Sequence, residues 1–342
     1  MMERVGVVVV TYQSAQVVGR ALACLFEQRR LPDRILVFDN ASTDDTLRLV
    51  REQARVAPVQ VDIVESPTNV GFAAANNDAV RRMDDCAWVA LLNPDVFAER
   101  DWLAALMRAA GTHPEAASFA SRMMLEQEPS RLDGAGDVYH ISGLHWRHGH
   151  GRALDTVPHA LTSHAVFSAC AGAALYRRAD WILQGGFDER FFCYSEDVDL
   201  GFRLQRSGRV CWYVADAVAY HVGSASSGAG SAFAVYHGHR NLEWAYLKNM
   251  PRRLAWRYAP LHGVAMLAAL VGAAARGRLR PYLTAKRDAA KRWREFAAES
   301  PPDGSISPAL LRRFDRGSLV KLGARRAWTV LRTRGHTEAR DG

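Results

Sequence analysis

The tripeptide Asn93-Pro94-Asp95 lies at a position where a carboxylate can help to bind a phosphate group through a metal ion. It follows directly after the apolar run Ala87–Leu92, which has the length and composition of a buried strand. An acid just beyond such a strand lies where open α/β sheets bind their ligands. One carboxylate there can take a hard divalent cation that carries a diphosphate. The alternative is a plain surface turn, because Pro94 fixes φ and favours a rigid bend.

Glu196 and Asp197 begin a predicted helix that runs to about Ser207. Acidic groups at a helix N-terminus complement the helix dipole by about 0.3–1 kcal/mol, which is a purely structural role. We expect the dipole also to keep them ionised at neutral pH. An ionised, positioned carboxylate within reach of a hydroxyl is what a general base needs. The aromatic lead-in at residues 191–194 indicates a partly buried approach and favours the catalytic interpretation.

Other polar side chains have ligand-binding potential. The run from Asp39 to Asp44 follows a strand and can hydrogen-bond a nucleobase and a ribose; a helix cap would explain Asp44 but not Asp39. His221 ends a later strand, and a neutral imidazole can bind Mn²⁺-like ions, although a lone histidine is more often structural. Four further histidines lack helical metal-site spacing and are interpreted as loop or substrate contacts: His140, His145, His148 and His150.

Alternating strands and helices are predicted to position these residues. The predicted strands are Val5–Val10, Arg34–Phe38, Val59–Glu65 and Ala87–Leu92, and the helices are Gln16–Gln28, Asp45–Gln53, Ala73–Met83 and Asp101–Thr112. This alternation is typical of a parallel, doubly wound sheet. The loops after successive strands carry Thr11, Asp39, Asn69 and Asp95, which should therefore meet at one sheet edge.

The second half of the chain is less regular. Residues 133–164 are rich in Gly and His and are predicted to be irregular, whereas Val210–Val214 and Ala217–His221 are predicted as two strands. Residues 223–230 are small and predict a flexible loop. The chain becomes helical again from Phe233.

Positive charge is concentrated at the C-terminus. The net charge is +8, but residues 251–342 contain 20 Lys and Arg against 7 Asp and Glu, whereas the rest contains 24 against 29. This asymmetry predicts a polyanionic partner, either a membrane or a nucleic acid, with solvated basic helices as the alternative. Gly263–Ala275 is apolar but spans only about 20 Å as a helix, short of a roughly 30 Å hydrocarbon core. We expect it to lie in a membrane interface or to pack as a core helix.

Several classes of protein are disfavoured. The chain has no GxGxxG motif and no Walker lysine, which argues against dinucleotide redox chemistry and P-loop phosphate binding. Its five cysteines are scattered without metal-ligand spacing, as is typical of reduced thiols in a cytoplasmic protein. No charged segment followed by an apolar core and a cleavage site opens the sequence, so no secretory signal is expected.

Taken together, these stretches resemble the inverting family 2 glycosyltransferases of the GT-A fold, and most of all their bacterial rhamnosyltransferase-type branch. The resemblance covers roughly Val5 to Asn249. It is carried by Val7–Tyr12, Asp39–Asp44, Asn69–Ala73, Asn93–Asp95, Gly185–Phe192, Glu196–Leu200 and the His221 segment. It implies an α/β, doubly wound mixed sheet of the nucleotide-diphospho-sugar transferase type over residues 1–230, with a helical, basic C-terminal extension over residues 231–342.

The resemblance also implies roles for individual residues. The donor-binding residues would be Thr11, Tyr12, Asp39, Asn40, Asp44, Asn69, Gly71, Asn76, Asn93 and Asp95. Asp95 would contact the Mg²⁺ or Mn²⁺ ion that holds the donor diphosphate, with His221 as a further ligand. Asp197 would be the general base, with Glu196 its neighbour in the acceptor site. Asn93 departs from the family pattern, since many relatives have the first Asp of a DxD motif there. Fewer anionic ligands remain, so metal dependence has to be measured.

The implied reaction moves a sugar from a nucleotide-sugar donor, with dTDP-rhamnose expected first, to a hydroxyl of a cell-surface glycan or lipid-linked acceptor. The basic, partly apolar tail would suit an anionic membrane surface rather than nucleic acid. We therefore expect a cytoplasmic protein that can bind peripherally to the inner face of the cell membrane.

Two other functions compete with this one. A nucleotidyltransferase needs a Gly-rich loop with Lys or Arg after the first strand, which residues 11–14 do not offer. A non-catalytic sugar-nucleotide-binding or scaffold protein that retained the fold is favoured by Asn93. The acids Asp95, Glu196 and Asp197 count against it.

Overall fold

The computed structural model describes residues 3–223 and 231–317. Ten strands form one mixed sheet: β1 (Val5–Thr11), β2 (Arg34–Asp39), β3 (Val61–Glu65), β4 (Trp88–Leu92), β5 (Val96–Ala98), β6 (Ala116–Leu125), β7 (Leu132–Ala135), β10 (His164–Val166), β11 (Ala173–Arg177) and β12 (Val210–His221). Strands β8 (Asp137–Tyr139) and β9 (His145–Arg147) form a separate hairpin. The order in the large sheet is β10-β12-β6-β11-β4-β1-β2-β3, with β5 on β12 and β7 on β6.

The parallel half of the sheet, β4-β1-β2-β3, follows from its apolar strands. Every residue of β1 and β4 is buried. Val8 and Val10 enter one hydrophobic core, whereas Val7 and Val9 enter the core on the opposite face. A strand buried on both faces needs a continuous apolar run, and helices must cover both faces.

Six helices cover the faces of the whole sheet: α1 (Val18–Phe26), α2 (Thr46–Arg55), α3 (Gly71–Arg81), α4 (Trp102–Thr112), α5 (Arg178–Leu183) and α6 (Glu196–Arg206). Helix α1 shows the reason for their placement, because its buried residues are Val18, Ala21, Leu22 and Leu25. That spacing places them on one face of a helix, towards the sheet. The sequence prediction located the first four helices with ends shifted by two residues or fewer.

The other half of the sheet is mixed and differs from the prediction. Strand β11 pairs antiparallel with both β4 and β6, whereas β12 runs parallel to β6. The two strands predicted at 210–214 and 217–221 are one strand, with a register shift between Val214 and Val218. The bulge interrupts the alternation of burial without ending the strand. The region predicted to be irregular contains four strands of three or four residues, too short to show a period.

Five helices follow: α7 (Ala232–Asn249), α8 (Arg252–Ala275), α9 (Leu279–Lys291), α10 (Trp293–Ala298) and α11 (Pro308–Arg313). They pack on the sheet region through two clusters. Leu310 and Phe314 join Tyr139 and Phe167 in one cluster. Trp244 of α7 stacks on Phe296 with ring centroids 4.5 Å apart and contacts Phe191 in the other. The boundary predicted at residue 230 and the loop at residues 224–230 lie outside the described residues.

Helix α8 changes the interpretation of the apolar stretch Gly263–Ala275. The helix begins at Arg252 and has 24 residues, which is about 36 Å, so the length argument against crossing a bilayer is wrong. Within the described residues, α8 is the one helix long and apolar enough to span a membrane by length and composition. Only Ala265 and Ala273 are buried on it, so it is not a core helix either. It is compatible with membrane association.

Candidate active site

The carboxyl ends of β1 and β2 hold a buried polar pair. Thr11 and Asp39 are partners in the strand register, and Thr11 Oγ1 donates to Asp39 Oδ1 at 2.8 Å. Asp39 Oδ2 accepts the Ser42 N–H at 2.9 Å, which fixes a turn with Ala41 at φ 64°. Asp39 therefore organises this loop with both oxygens, and each oxygen keeps a lone pair for a ligand.

A second loop at this edge is tied to the first. Asn40 Oδ1 accepts the Val70 N–H at 2.8 Å, and Asn69 Oδ1 accepts the Gly71 N–H at 2.9 Å. Gly71 has φ 88°, and a Cβ built there would lie 2.5 Å from a ring carbon of Phe192. Glycine is thus required where this loop meets the segment that leads into α6.

The remaining predicted nucleoside and cleft residues have three different environments. Tyr12 is 42% exposed at the loop surface. Asp44 accepts the backbone N–H groups of Ala15 at 3.1 Å and Thr46 at 3.2 Å. Burial alone would raise the pKa of Asp44, but hydrogen bonds from Thr46 and Ala15 lower it below its ordinary value. Asn76 is buried on α3 and donates to the carbonyl of Phe72 within its own helix at 2.8 Å.

Asp95 and His221 are brought together by strand pairing. The Asn93 N–H donates to the Gly172 carbonyl at 2.9 Å, and the turn leads into β5. Val96 of β5 pairs with His221 of β12, so Asp95 lies beside the imidazole, with Oδ2 3.4 Å from Nε2. Both side chains are about nine-tenths buried. The metal-binding pair proposed from the resemblance is therefore adjacent.

Two residues that the sequence did not single out complete this charged group. Asp133, at 2% exposure, has Oδ2 3.0 Å from the second ring nitrogen of His221. Arg147 of β9 forms an ion pair with Asp133, and its Nη1 lies 3.5 Å from His221 Nδ1. Burial would lower the pKa of His221, but hydrogen bonds to Asp133 and Asp95 raise it to about 9. The imidazole is therefore a cation at neutral pH, held between two carboxylates.

This donor set fits a divalent cation that arrives with its diphosphate. Within residues 3–223 and 231–317, no group of three or more His, Cys, Asp or Glu side chains is arranged to hold a metal ion. Asp95 and His221 offer one carboxylate and one imidazole, and Mg²⁺ is commonly held by one or two carboxylates plus substrate phosphates. Because metal binding needs a neutral imidazole, a cation bound by His221 would have to displace the proton of that side chain.

Asp197 is fixed by backbone donors at the start of α6. Its Oδ2 accepts the Ala171 N–H at 3.1 Å, and its Oδ1 accepts the Val198 N–H at 2.8 Å. Burial raises the pKa of Asp197 above its ordinary value, although these two N–H groups and the positive charge of Arg147 oppose the rise. A positioned carboxylate with a raised pKa is a better proton acceptor than an ordinary one.

Glu196 differs from the expectation. It is buried, and its Oε2 has no hydrogen-bond partner. Burial first, and then the charge of Asp197, raises the pKa of Glu196 well above its ordinary value. The prediction from the sequence counted only the helix dipole, whereas burial shifts the pKa of Glu196 in the opposite direction. At this site burial outweighs the dipole.

One short segment connects the Asn93-Pro94-Asp95 turn to Asp197. Ala171 donates its N–H to Asp197, and the next residue, Gly172, accepts the N–H of Asn93. A Cβ on Gly172 would lie 3.5 Å from Asn93 Nδ2. The neighbouring residues Ala171 and Gly172 therefore link the start of α6 to the turn at the sheet edge. The histidine at 145 also lies here, with Nε2 2.9 Å from Ser195 Oγ.

The glycosyl transferase family 2 model matches residues 6–179, which is half of the chain. The chain belongs to glycosyl transferase family 2. The N-acetylglucosaminyl-diphospho-decaprenol L-rhamnosyltransferase of Mycobacterium tuberculosis is 29% identical over 276 residues, 75% of this chain and 87% of that protein. The family of this glycosyltransferase is thus the one that its sequence motifs resemble.

Solved structures show the GT-A fold. A mannosyltransferase of Pyrobaculum calidifontis, in complex with GDP-Man and Mn²⁺, superposes with a TM-score of 0.54 at 20% identity, covering 87% of this chain and 84% of that one. GalNAc-T7 with UDP, GalNAc and Mn²⁺ gives 0.59 at 12% identity, covering 87% and 57%. The predicted fold class is confirmed. The roles of the individual site residues remain predictions, and Asp197 and His221 lie beyond the matched residues.

Proposed function

We propose that this glycosyltransferase moves a sugar from a nucleotide-diphosphate donor to an acceptor hydroxyl with inversion at the anomeric carbon. Asp197 acts as the general base. The observation that carries this proposal is the hydrogen bond from the Ala171 N–H to Asp197, beside the Gly172 carbonyl that holds Asn93. It sets a proton acceptor opposite the sheet edge that binds ligands in this class of fold.

The chain's residues divide the work by position. Thr11, Asp39 and Asn40 shape the loops that would receive the nucleoside. Asp197 takes the proton from the acceptor hydroxyl as that oxygen attacks the anomeric carbon in one displacement, and a single displacement inverts the configuration. Asp95 and His221 would hold Mg²⁺ or Mn²⁺, which when bound supplies positive charge against the departing nucleoside diphosphate.

Glu196 has a different task in this proposal. Burial raises the pKa of Glu196 well above that of an ordinary glutamate, which favours its neutral acid form. A neutral acid can donate a hydrogen bond to an acceptor oxygen without adding a second negative charge beside the base. Glu196 therefore orients the acceptor, and Asp197 alone removes the proton.

We further propose L-rhamnose as the sugar and a lipid-linked glycan as the acceptor. The printed name of the mycobacterial relative, an N-acetylglucosaminyl-diphospho-decaprenol L-rhamnosyltransferase, supports both. Donor hydrolysis and thermal stabilisation across dTDP-, UDP- and GDP-sugars with Mn²⁺ would test the donor. We expect dTDP-rhamnose to give the strongest response. A stronger response to a UDP- or GDP-sugar would reject this donor.

The surface of α8 supports a location on the inner face of the cell membrane. Its exposed apolar side chains are Trp256, Val264, Leu267 and Val271, and arginines stand at both ends, at residues 252, 253, 257, 276, 278 and 280. Apolar side chains between arginines suit an interface with anionic headgroups. Liposome sedimentation should show salt-sensitive binding to anionic vesicles. Equal binding to neutral vesicles, or none, would reject this location.

The base assignment is tested by Asp197→Asn, which keeps the shape but removes the proton acceptor. We expect a loss of transfer of about 10²–10⁴-fold, the usual contribution of general base catalysis, with donor binding nearly unchanged. Asp216→Asn, a change at an exposed carboxylate of β12, is the matched control and should keep full activity. Normal turnover by Asp197→Asn would disprove the assignment.

A further inference from the structure

The segment from Phe191 to Ser195, which leads into α6 and Asp197, has an unusual backbone. Phe192, Tyr194 and Ser195 have φ values of 66°, 73° and 69°. Residues with side chains rarely adopt this left-handed region, and such conformations persist only where the surroundings over-determine them. The structure must therefore contain contacts that hold this segment in place.

The strongest of these contacts come from Asn241 on α7, which is fully buried. Its Nδ2 lies 2.9 Å from the Phe191 carbonyl oxygen, 2.8 Å from that of Cys193 and 2.7 Å from that of Tyr194. A side-chain amide has two N–H donors, so they serve three carbonyls that all converge on one nitrogen. Three carbonyls can converge in this way only if the chain between them is sharply folded.

Arg240 fixes the orientation of that amide. Its Nε donates to Asn241 Oδ1 at 2.9 Å, and its Nη2 donates to the Phe191 carbonyl at 2.9 Å. A guanidinium has donors only, so the amide oxygen must face Arg240 and the amide nitrogen must face the segment. Neighbouring residues of one helix thus act together on the same stretch of backbone.

The opposite side of the segment faces the ligand-binding half of the molecule. The Phe192 carbonyl accepts the Ala73 N–H of α3 at 3.1 Å, and Ser195 Oγ lies 2.9 Å from His145 Nε2. The segment is therefore held between α7 on one side and α3 and β9 on the other. Its C-terminal end is the first turn of α6, where Asp197 sits.

We propose that Asn241, oriented by Arg240, is a positioning residue for Asp197, so that α7 is part of the catalytic unit. This inference rests on the proposed role of Asp197 as the base. Asn241 touches no reacting atom; it acts by holding the folded segment 191–195, which sets where the first turn of α6 begins. Without it, the segment relaxes towards ordinary φ values and carries Asp197 away from the Ala171 N–H.

The test compares the full chain with Asn241→Ala. We expect kcat to fall about 100-fold, as for a displacement of about 1 Å of a catalytic group, with the donor KM unchanged. The acid limb of the pH profile of kcat/KM should move to lower pH, because a base that has become hydrated loses the burial that raises its pKa. Arg240→Met, which keeps the side-chain stem, should give a smaller change in the same direction.

Tyr282→Phe is the matched control. It removes a side-chain hydrogen bond to a backbone carbonyl in the C-terminal helices, that from Tyr282 Oη to Met266 at 2.7 Å, but it lies away from segment 191–195. It should keep the wild-type kcat and acid limb. Hydrogen–deuterium exchange at residues 192–198 should be faster in Asn241→Ala than in wild type or Tyr282→Phe.

The outcomes separate this inference from the proposed function. If Asn241→Ala keeps the wild-type kcat and acid limb, or if Tyr282→Phe loses activity equally, the positioning role is refuted. If the wild-type chain transfers no sugar with any donor, the proposed function fails. Faster exchange at residues 192–198 in Asn241→Ala would then still show that Asn241 holds the segment, and unchanged exchange would refute that too.

Discussion

Replacing Asp133 by Asn should change how the stability of this glycosyltransferase depends on pH. Asp133 lies between the imidazole of His221 and the guanidinium of Arg147 and is 2% exposed. Asn has nearly the same shape, so the change removes the charge and leaves the packing. The two neighbouring cations then lose their shared partner.

The size of the effect follows from His221. Burial alone would lower its pKa, but hydrogen bonds to Asp133 and Asp95 raise it from 6.5 to about 9. A rise of that size corresponds to about 3 kcal/mol of folding stability. Because the folded pKa lies above the unfolded one, this stability is fully present below pH 6.5 and is lost as pH rises through about 9. About 2 kcal/mol of it should disappear between pH 6 and pH 8.

The assay is urea unfolding in EDTA at several values between pH 6 and pH 8. The free energy of unfolding of the wild type should fall by about 2 kcal/mol from pH 6 to pH 8. That of Asp133→Asn should be lower at pH 6 and should fall much less over the same range. His150→Asn is the matched control, since His150 also contacts Asp133 but is 57% exposed at its side chain. It should keep the wild-type slope. Equal slopes in wild type and Asp133→Asn would refute the argument.

Two further changes test other parts of the site. Gly71→Ala should lower the free energy of unfolding by about 2–4 kcal/mol and reduce activity, because the new Cβ meets Phe192 and the backbone has a φ of 88°. Thermal unfolding and kcat measure the two effects, and wild-type values for both would contradict the prediction. Asp95→Asn should raise the Mn²⁺ concentration needed for half-maximal transfer, and in wild type that concentration should rise as pH falls from 8 to 6, because protons compete for His221. If the Mn²⁺ concentration for half-maximal transfer changes neither with Asp95→Asn nor with pH, Asp95 and His221 are ruled out as the metal ligands.

The parallel half of the fold could be predicted because its signal is local. Val5–Thr11 and Trp88–Leu92 are continuously buried, and an apolar run of strand length between helical patterns is typical of a buried strand. The loop residues after these strands could then be placed at one edge by topology alone. Thr11 and Asp39 are paired in the register as this argument requires.

Asp133 and Arg147 could not be found in the same way. They lie on strands of four and three residues, too short for any alternation, and His221 is 88 residues from Asp133 along the chain. One signal was present: Asp133 is flanked by Leu132 and by Gly134-Ala135, an apolar setting in which a carboxylate needs a partner. The sequence does not say which cation supplies it.

The contacts of Asn241 were missed for a different reason. An Asn on a helix has no periodic or spacing signature, and its partners are backbone carbonyls, which every residue has. Likewise, the burial of Glu196 depends on packing by distant segments. Reasoning from the helix dipole alone therefore predicted an ionised Glu196, whereas burial in the folded protein raises the pKa of that carboxyl group.

The position of β11 has a consequence for how the chain folds during synthesis. Its antiparallel pairing closes the outer edge of β4, yet about eighty residues separate the two strands along the chain. Until β11 leaves the ribosome, the nascent protein presents an apolar, unpaired strand edge, which is a template for aggregation. The family match ends at residue 179, two residues past that strand. The shared region is thus just long enough to cover the edge of β4, whereas the strand that pairs with the far edge of β6 and the residues proposed for proton transfer are synthesised afterwards.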